Sequence, residues 1–245
     1  NKDLVIIKEA ALPPTLSDVE KAKAEELFQR EARLLLKLDH PQIARILDHF
    51  LENGRDYLVI EFVPGHTLRQ MVTKRGPLDE TQAIGLILQL AGVLEYLHTQ
   101  SPGVLHRDIS PDNLILRDDG KLVVIDFGAA NEIVGTVTGT IIGKQSYMSP
   151  EQFKGKPTAQ SDLYSAGCTL HYLLTGQDPK PLTTSLPQLL RQSVSDSCNQ
   201  LVSDLTQLKP AQRIQSAEVI IERIEELRAT PKDVSGTVIE VGKAS

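Results

Sequence analysis

The chain has 245 residues, of which 40% are hydrophobic and 24% are charged, and this balance is typical of a globular protein. The length fits one large domain or two lobes, and a formal net charge of −6 argues against a nucleic-acid partner. No apolar run is long enough to span a membrane, and Cys168 and Cys198 match no metal or redox spacing. We therefore expect reduced thiols and a cytoplasmic location.

The chain begins with a predicted strand and a predicted helix. Leu4–Lys8 is a β-branched run that ends in a lysine. Ser17-Asp18-Val19-Glu20 has the pattern of a capping box, in which the first side chain and the fourth exchange hydrogen bonds with backbone amides. We predict a helix from there to about Leu38, where Asp39-His40-Pro41 ends it.

One carboxylate of this predicted helix lies on its apolar face. Phe28, Leu35 and Leu38 recur at helical spacing, and Glu31 falls on the same side. Because burial of an unpaired charge is costly, Glu31 needs a cation or must lie at the solvated edge of the face. The natural candidate for that cation is Lys8.

The next predicted elements are two strands and a long helix. Ile43–Leu51 and Tyr57–Phe62 are joined at Glu52-Asn53-Gly54, and Pro64-Gly65 interrupts the pattern afterwards. Asp79-Glu80-Thr81-Gln82 is a second capping signal, and apolar residues then recur at helical spacing as far as Leu97. We expect that helix to lie in the core.

The most informative stretch is Leu105–Gly128, LHRDISPDNLILRDDGKLVVIDFG. Asp118-Asp119-Gly120 between two apolar β-rich runs predicts a hairpin. Asn113 enters one strand and Asp126 leaves the other, so antiparallel pairing would bring them to the same open end, with Asp108 one loop away. Carboxylate and amide oxygens are the ligands that Mg²⁺ takes together with substrate phosphates.

This stretch resembles the signature of protein kinases. His106-Arg107-Asp108 followed by Asn113 is similar to the catalytic loop H-R-D-x-x-x-x-N, and Asp126-Phe127-Gly128 is similar to the D-F-G motif. The resemblance extends over about residues 5–227 and is strongest to bacterial kinases of the eukaryotic type. It implies an α+β, two-lobed protein-kinase fold, with a small β-rich lobe at 1–63, a large mainly helical lobe at 64–228 and a tail or linker at 229–245.

The resemblance also assigns chemical roles. Asp108 would orient the acceptor hydroxyl and accept its proton, and Asn113 and Asp126 would bind Mg²⁺. Lys8, held by Glu31, would bind the phosphates of ATP.

The resemblance further places the adenine of ATP beside the predicted strands. The backbone of Glu61 and Val63 would hydrogen-bond adenine next to the gatekeeper position Ile60, and Ile6 and Ile115 would contact the nucleotide.

Residues 126–151 resemble an activation segment that Ser149-Pro150-Glu151 closes. Thr140 is then the first candidate for the activating phosphate, ahead of Thr136 and Thr138, with Arg107 as its partner.

Two further residues resemble structural residues of kinases. Asp162, at the start of a helix that we predict to be capped by Ser161, would hold the backbone of the catalytic loop. Arg213 would pair with Glu151 in a structural bridge.

Three departures from the family pattern stand out. The first is that the sequence contains no glycine-rich loop, since only seven residues precede Lys8 and no G-x-G-x-x-G follows. Such a loop either lies before residue 1 or is absent from the small lobe. The second is Ser110, which occupies the place of a lysine that stabilises charge on the transferred phosphoryl group. The third is Lys144, which occupies the place of a threonine near the end of the activation segment. We therefore predict that Lys144 reaches Asp108 and supplies the missing cation.

The function implied is transfer of the γ-phosphoryl group of ATP to Ser or Thr hydroxyls of a protein substrate. Self-association for autophosphorylation and an additional domain after residue 245 are compatible with this reading. The main alternative is a pseudokinase that acts as a scaffold or allosteric module, which Ser110 and the missing glycine loop favour. A small-molecule kinase is a weaker alternative, because Phe127-Gly128 and Ser149-Pro150-Glu151 are typical of protein kinases.

Overall fold

A computed structural model describes residues 4–9, 17–127 and 144–229, with the side chain of Lys144 left outside that description. Its first sheet has the antiparallel order β1-β3-β2, formed by β1 (Val5–Glu9), β2 (Ile46–Glu52) and β3 (Arg55–Glu61). The β2–β3 turn uses Asn53 at φ 50° and Gly54 at φ 72°, as a two-residue hairpin loop requires. The prediction of two strands joined at Glu52-Asn53-Gly54 is therefore confirmed.

Helix α1 (Asp18–Leu35) packs on this sheet. Ser17 caps it, and the Oγ of Ser17 and the carboxylate of Glu20 form the predicted capping box. Its buried side chains, Ala24, Phe28, Ala32 and Leu35, lie three or four residues apart, and Phe28 and Ala32 share a cluster with Leu58, Ile60 and Val123 of the strands. Burial of one stripe explains why an otherwise polar helix forms here.

A second small sheet lies between the first sheet and the helical part. It has the order β4-β5-β6, with β4 (His66–Thr67), β5 (Leu114–Leu116) and β6 (Leu122–Val124). The β5–β6 hairpin turns at Gly120, with φ 79°, as predicted. Ile43 and Ala44, which we expected to begin β2, pair with β6 instead. Ala44 donates to the Val124 carbonyl, and Val124 donates to the carbonyl of Gln42, the residue before Ile43.

The larger lobe is helical. Its helices are α2 (Leu68–Arg75), α3 (Glu80–His98), α4 (Pro150–Phe153), α5 (Ala159–Thr175), α6 (Asp196–Leu205) and α7 (Ala217–Ala229), with 3-10 turns at Lys144–Tyr147, Pro187–Leu189 and Pro210–Gln212. Helix α5 is buried over nearly its whole length, and α3 packs between α5 and α7. The expected two-lobed α+β architecture is confirmed. No helix among the described residues is long and apolar enough to cross a membrane.

The start of α5 differs from our prediction. The helix begins at Ala159 after Thr158, and Ser161 is its third residue instead of its cap. The Ser161 Oγ accepts a hydrogen bond from the Thr158 amide at 3.0 Å and donates one to Glu151 Oε1 at 2.7 Å. The prediction failed because a serine can stabilise a helix start either as the cap or as the third residue that accepts a hydrogen bond from the cap amide, and the sequence does not distinguish the two. Residues 230–245 of the expected tail lie outside the described ranges.

Candidate active site

The loop from His106 to Asn113 is anchored by a buried carboxylate of α5. Asp162, which is 1% exposed, accepts hydrogen bonds from the backbone amides of His106 at 3.0 Å and Arg107 at 2.8 Å. Its Oδ2 also lies 2.9 Å from Nε2 of His98, at the end of α3. The expectation that Asp162 holds this loop is therefore confirmed, whereas the contact with His98 was not predicted.

The imidazole of His106 ties the loop to the strand end. Its Nδ1 accepts from the Asp108 amide at 3.3 Å, so its Nε2 donates to the Ile125 carbonyl at 3.1 Å. Complete burial lowers the pKa of His106, against the opposing effect of nearby carboxylates. The neutral ring therefore acts as a spacer between the loop and the residue before Asp126, and it also packs on the ring of Phe127.

The hairpin brings Asn113 and Asp126 to one end, as predicted. The Ile125 amide donates to the Asn113 carbonyl at 3.0 Å, and the Asn113 side chain donates to the Asp108 carbonyl at 2.7 Å. These bonds leave Asn113 Oδ1 and one carboxylate oxygen of Asp126 without a hydrogen-bond partner among the described residues. Two oxygen donors of the type that Mg²⁺ prefers thus lie together, although Asn113 is largely buried.

This pair of residues fits a shared metal better than a complete protein site. Among the described residues, no group of three or more His, Cys, Asp or Glu side chains could hold a metal ion alone. Asn113 and Asp126 are two residues that would hold a Mg²⁺ ion together with phosphate oxygens and water.

Lys8 and Glu31 are not paired with each other, so the predicted ion pair is wrong. Lys8 Nζ lies 2.6 Å from Asp126 Oδ1, and Glu31 Oε2 lies 3.5 Å from Arg107 Nη1. Helical periodicity correctly placed Glu31 on an inward face. It could not reveal that Arg107 of the catalytic loop lies across from that face and that Lys8 reaches a different carboxylate.

Two residues of the site adopt the left-handed backbone region. Arg107 has φ 65° and Asp126 has φ 64°, and neither is a glycine. Such conformations cost of order 1 kcal/mol or more and persist where surrounding contacts determine them. Here Asp162 accepts from the Arg107 amide, and His106 contacts the backbone of Asp108 and of Ile125, next to Asp126.

The residues predicted to contact adenine lie on the strands beside Lys8. Ile6 is on the same face of β1 as Lys8, since strand side chains alternate, and it is 48% exposed. Its partner across the sheet is Ile60, the predicted gatekeeper, which is buried. Ile115 of β5 is partly exposed, opposite in direction to the buried Leu114.

The segment between β3 and α2 carries the two predicted backbone contacts to adenine. The Glu61 amide donates to the Arg45 carbonyl at 2.9 Å, and the Glu61 carboxylate pairs with the Arg45 side chain at 3.1 Å. Val63 packs against the small-lobe core. No contact with a nucleotide is tested by these observations, so the roles of Glu61, Val63, Ile6 and Ile115 stay predictions.

Ser110 is buried at 1% exposure, and its Oγ has no hydrogen-bond partner among the described residues. The catalytic loop therefore contributes no cation at this position. Lys144 begins a 3-10 turn that leads to Tyr147, but its side chain lies outside the described part, as do Thr136, Thr138 and Thr140.

The end of the predicted activation segment is fixed by ion pairing. Arg213, which is 3% exposed, forms two contacts with Glu151, Nη1–Oε1 at 2.7 Å and Nη2–Oε2 at 3.2 Å. Burial alone would raise the pKa of Glu151, but hydrogen bonds from Arg213 and Ser161 lower it to about 2. This predicted structural bridge is confirmed.

One polar cluster near the catalytic loop was missed by sequence reasoning. Arg69, the second residue of α2, contacts Asp112, Asp178 and the rings of Tyr147 and Tyr172. Asp112 lies inside the H-R-D-x-x-x-x-N motif. Its charge was the one feature of the sequence that could have predicted the cluster, since a carboxylate at that position requires either a cation or solvent. The other members come from distant parts of the chain.

Comparison with known proteins agrees with this geometry. A family model described as the protein kinase domain matches residues 2–223. Serine/threonine-protein kinase B of Synechocystis sp. is 36% identical over 220 residues, covering 82% of this chain and 38% of that protein. Serine/threonine-protein kinase PknA of Nostoc sp. is 43% identical over 171 residues, covering 65% of this chain and 30% of that protein.

The solved structures agree on the fold. The kinase domain of Mycobacterium tuberculosis PknI has a TM-score of 0.72 at 25% identity, over 91% of this chain and 85% of that one. The apo form of PpkA-294 has a TM-score of 0.74 at 26% identity, over 90% of this chain and 86% of that one. The chain spans less than half the length of the curated relatives above. It belongs to the protein kinase family, as a catalytic domain of the bacterial, eukaryotic-like serine/threonine type.

Proposed function

We propose that this domain transfers the γ-phosphoryl group of ATP to Ser or Thr hydroxyls of a protein. The observation that carries the proposal is the junction of Asn113 and Asp126 at the end of one hairpin, with Asp108 and Lys8 attached to it by hydrogen bonds of 2.7 Å and 2.6 Å. This junction joins a proton acceptor, two oxygen ligands and a cation, which together suit phosphoryl transfer.

Each side chain then has a defined task. Asp108 orients the acceptor hydroxyl and takes its proton, while the neutral His106 and the Asp162 carboxylate hold the loop that carries it. Asn113 and Asp126 supply oxygen ligands for Mg²⁺, which when bound neutralises charge on the phosphates. Lys8 contacts the phosphates from β1. When the nucleotide and metal bind, Lys8 either keeps its contact with Asp126 while Asp126 also binds the metal, or gives up that contact.

The nucleotide base would lie between the two lobes. Ile6 and Ile115 provide apolar contacts from β1 and β5, and the backbone of Glu61 and Val63 provides hydrogen bonds to adenine. Support comes from the positions of Ile6 and Lys8 on one face of β1 and from the exposure of Ile6. ATP dependence is also the reason for proposing a cytoplasmic location.

Lys144 is proposed as the cation that Ser110 cannot provide. Support comes from the buried, uncharged Ser110 side chain two residues after Asp108. Lys144→Met should lower kcat by roughly 10²-fold, by analogy with removal of one transition-state donor. Lys156→Met, at an exposed position after α4, is the matched control and should be unchanged.

Regulation is proposed to act through residues 126–151. Phosphate on Thr140 would add close to two negative charges, and Arg107 is the cation that we propose it recruits. Arg107 would then exchange Glu31 for the phosphate. Autophosphorylation between two copies, and further domains after residue 245, belong to the same proposal.

A labelled-ATP assay tests the proposed function. With Mg²⁺ and [γ-³²P]ATP, the native domain should label a generic protein substrate, and Asp108→Asn should reduce the rate by about 10²-fold to 10⁴-fold. Label transfer by both proteins, or by neither, would contradict the proposal. Absence of transfer by both together with retained ATP binding would favour the pseudokinase alternative.

A further inference from the structure

The guanidinium of Arg69 is held by four side chains from separate parts of the large lobe. Its Nε lies 3.2 Å from Asp112 Oδ2, its Nη1 lies 2.7 Å from Asp178 Oδ1, and its Nη2 donates to the Tyr147 hydroxyl at 3.3 Å. The group also lies 4.3 Å from the centre of the Tyr172 ring. Ion pairs and a cation–π contact together fix its position.

This cluster includes a residue of the loop that carries Asp108, the proposed proton acceptor. Asp112 lies four residues after Asp108 on the same loop, and the Arg69 amide donates to the neighbouring Pro111 carbonyl at 3.0 Å. Tyr147 lies just before α4, where Gln152 donates to the Arg107 carbonyl of the same loop. The cluster thus joins the loop that carries Asp108 to the end of the predicted activation segment.

The two carboxylates of this cluster are reachable from solvent. The Asp112 side chain is 48% exposed and that of Asp178 is 40% exposed, whereas Arg69 is 26% exposed. Tyr147 donates its hydroxyl proton to Asp178, and burial together with that bond raises the pKa of the phenol, so the ring stays uncharged. Burial lowers the pKa of the nearby His171 to about 4, so it adds no positive charge at neutral pH.

Arg69 is therefore the cation that compensates Asp112 and Asp178. Burial opposes its charge, but Asp178, Tyr147 and Asp112 raise the pKa of Arg69 above its ordinary value. Without Arg69, the two half-exposed carboxylates would border the space that the guanidinium now fills, and they would attract a cation from solvent or from a substrate.

We infer that Arg69 is a specificity-determining residue: it occupies, from within the chain, an acidic subsite that would otherwise select a basic residue near the phosphoacceptor of the substrate. The inference rests on the proposed kinase function. It predicts that this domain phosphorylates substrates without requiring basic residues next to the acceptor Ser or Thr.

Peptide arrays with a fixed acceptor serine, and with Ala, Arg or Glu at each flanking position, test this inference. For each peptide, kcat/KM is measured with the native domain and with Arg69→Ala. We expect Arg69→Ala to raise the preference for Arg over Ala at one or two flanking positions by roughly fivefold to tenfold, the effect of a few charge-assisted contacts. Arg75→Ala, at the exposed end of the same helix, should keep the native preference.

A second variant tests the charge argument without removing Arg69. Asp112→Asn combined with Asp178→Asn leaves the guanidinium uncompensated, so the same positions should now favour Glu over Ala. This variant keeps the inference testable if Arg69→Ala folds poorly.

The possible outcomes separate the two proposals. Label transfer by the native domain with flanking preferences unchanged in both variants would overturn the inference and leave the kinase function intact. A strong native preference for Arg at these positions would also overturn it. Absence of transfer to every peptide and protein substrate would instead count against the proposed function.

Discussion

Arg107 of the catalytic loop pairs with Glu31 of α1 at 3.5 Å, across the boundary between the two lobes. The two side chains are 24% and 21% exposed, so the contact is only partly screened by water. The contact leaves Lys8 to Asp126 and brings together α1 and the loop that carries Asp108. The contact with α1 therefore uses Arg107, the same residue that is proposed to bind a phosphate on the activation segment.

This arrangement predicts which pairs of residues are energetically coupled. A double-mutant cycle with Glu31→Gln and Arg107→Gln should give a coupling free energy of roughly 0.5–1.5 kcal/mol in urea unfolding of the nucleotide-free domain. The matched cycle with Glu31→Gln and Lys8→Met should give a value within about 0.5 kcal/mol of zero. The reverse ranking would mean that Glu31 faces Lys8 in solution.

The Glu151–Arg213 bridge predicts a dependence of stability on pH. The folded-state pKa of Glu151 is about 2, below its ordinary value of 4.5, so the folded state binds the proton less readily than the unfolded state. The stabilisation is complete above about pH 4.5 and is lost as the pH falls toward 2. It amounts to about 2 kcal/mol once screening by solvent is allowed for.

Glu151→Gln checks this prediction in denaturant unfolding curves across that pH range. The difference in unfolding free energy between the native domain and the variant should shrink steadily as the pH falls below about 4.5. A difference that stays constant with pH would show that the carboxylate contributes by shape and not by charge.

His171 predicts a stabilising substitution. The side chain is 5% exposed, and neither ring nitrogen has a hydrogen-bond partner among the described residues. Because each unsatisfied buried polar atom is costly, His171→Phe should raise the free energy of unfolding at neutral pH by about 1–2 kcal/mol. His66→Phe, at an exposed position, is the control and should change stability little.

The same residue predicts acid sensitivity. Burial lowers the pKa of His171 from 6.5 to about 4, against the opposing charge of Asp178. Between these two values the unfolded state binds a proton that the folded state does not, so stability falls as the pH falls through this window. The native domain should lose more stability than His171→Phe over that interval; equal losses would contradict the assignment.

Asp162 predicts a coupled loss of stability and turnover. Asp162→Asn keeps the shape of the side chain. It replaces one carboxylate oxygen by an NH₂ group, which cannot accept the backbone hydrogen bonds that Asp162 accepts now. We expect a loss of about 2–4 kcal/mol in unfolding free energy and a larger effect on kcat than on the KM for ATP, because the loop that carries Asp108 shifts. Asp18→Asn, at a fully exposed position of α1, is the control, and a change confined to the KM for ATP would contradict this role.

Local sequence patterns determined the elements of this site. The capping box at Ser17, the Asn53-Gly54 turn and the hairpin at Gly120 depend on hydrogen bonds between residues a few positions apart. For the same reason, motif spacing was enough to bring Asn113 and Asp126 to one hairpin end. The anchoring of the loop by Asp162 and the Glu151–Arg213 bridge were also predicted, but through resemblance to the family.

Only the tertiary structure decided which distant charges meet. Lys8 pairs with Asp126 and not with Glu31, and Glu31 pairs with Arg107. Arg69 pairs with two carboxylates that are 43 and 109 residues away from it in the sequence. Helical and strand periodicity predict that a side chain faces inward. Several carboxylates and cations face inward in this chain, so periodicity does not identify which of them pair. The choice among them depends on how α1, the catalytic loop and α2 pack, which no local pattern contains.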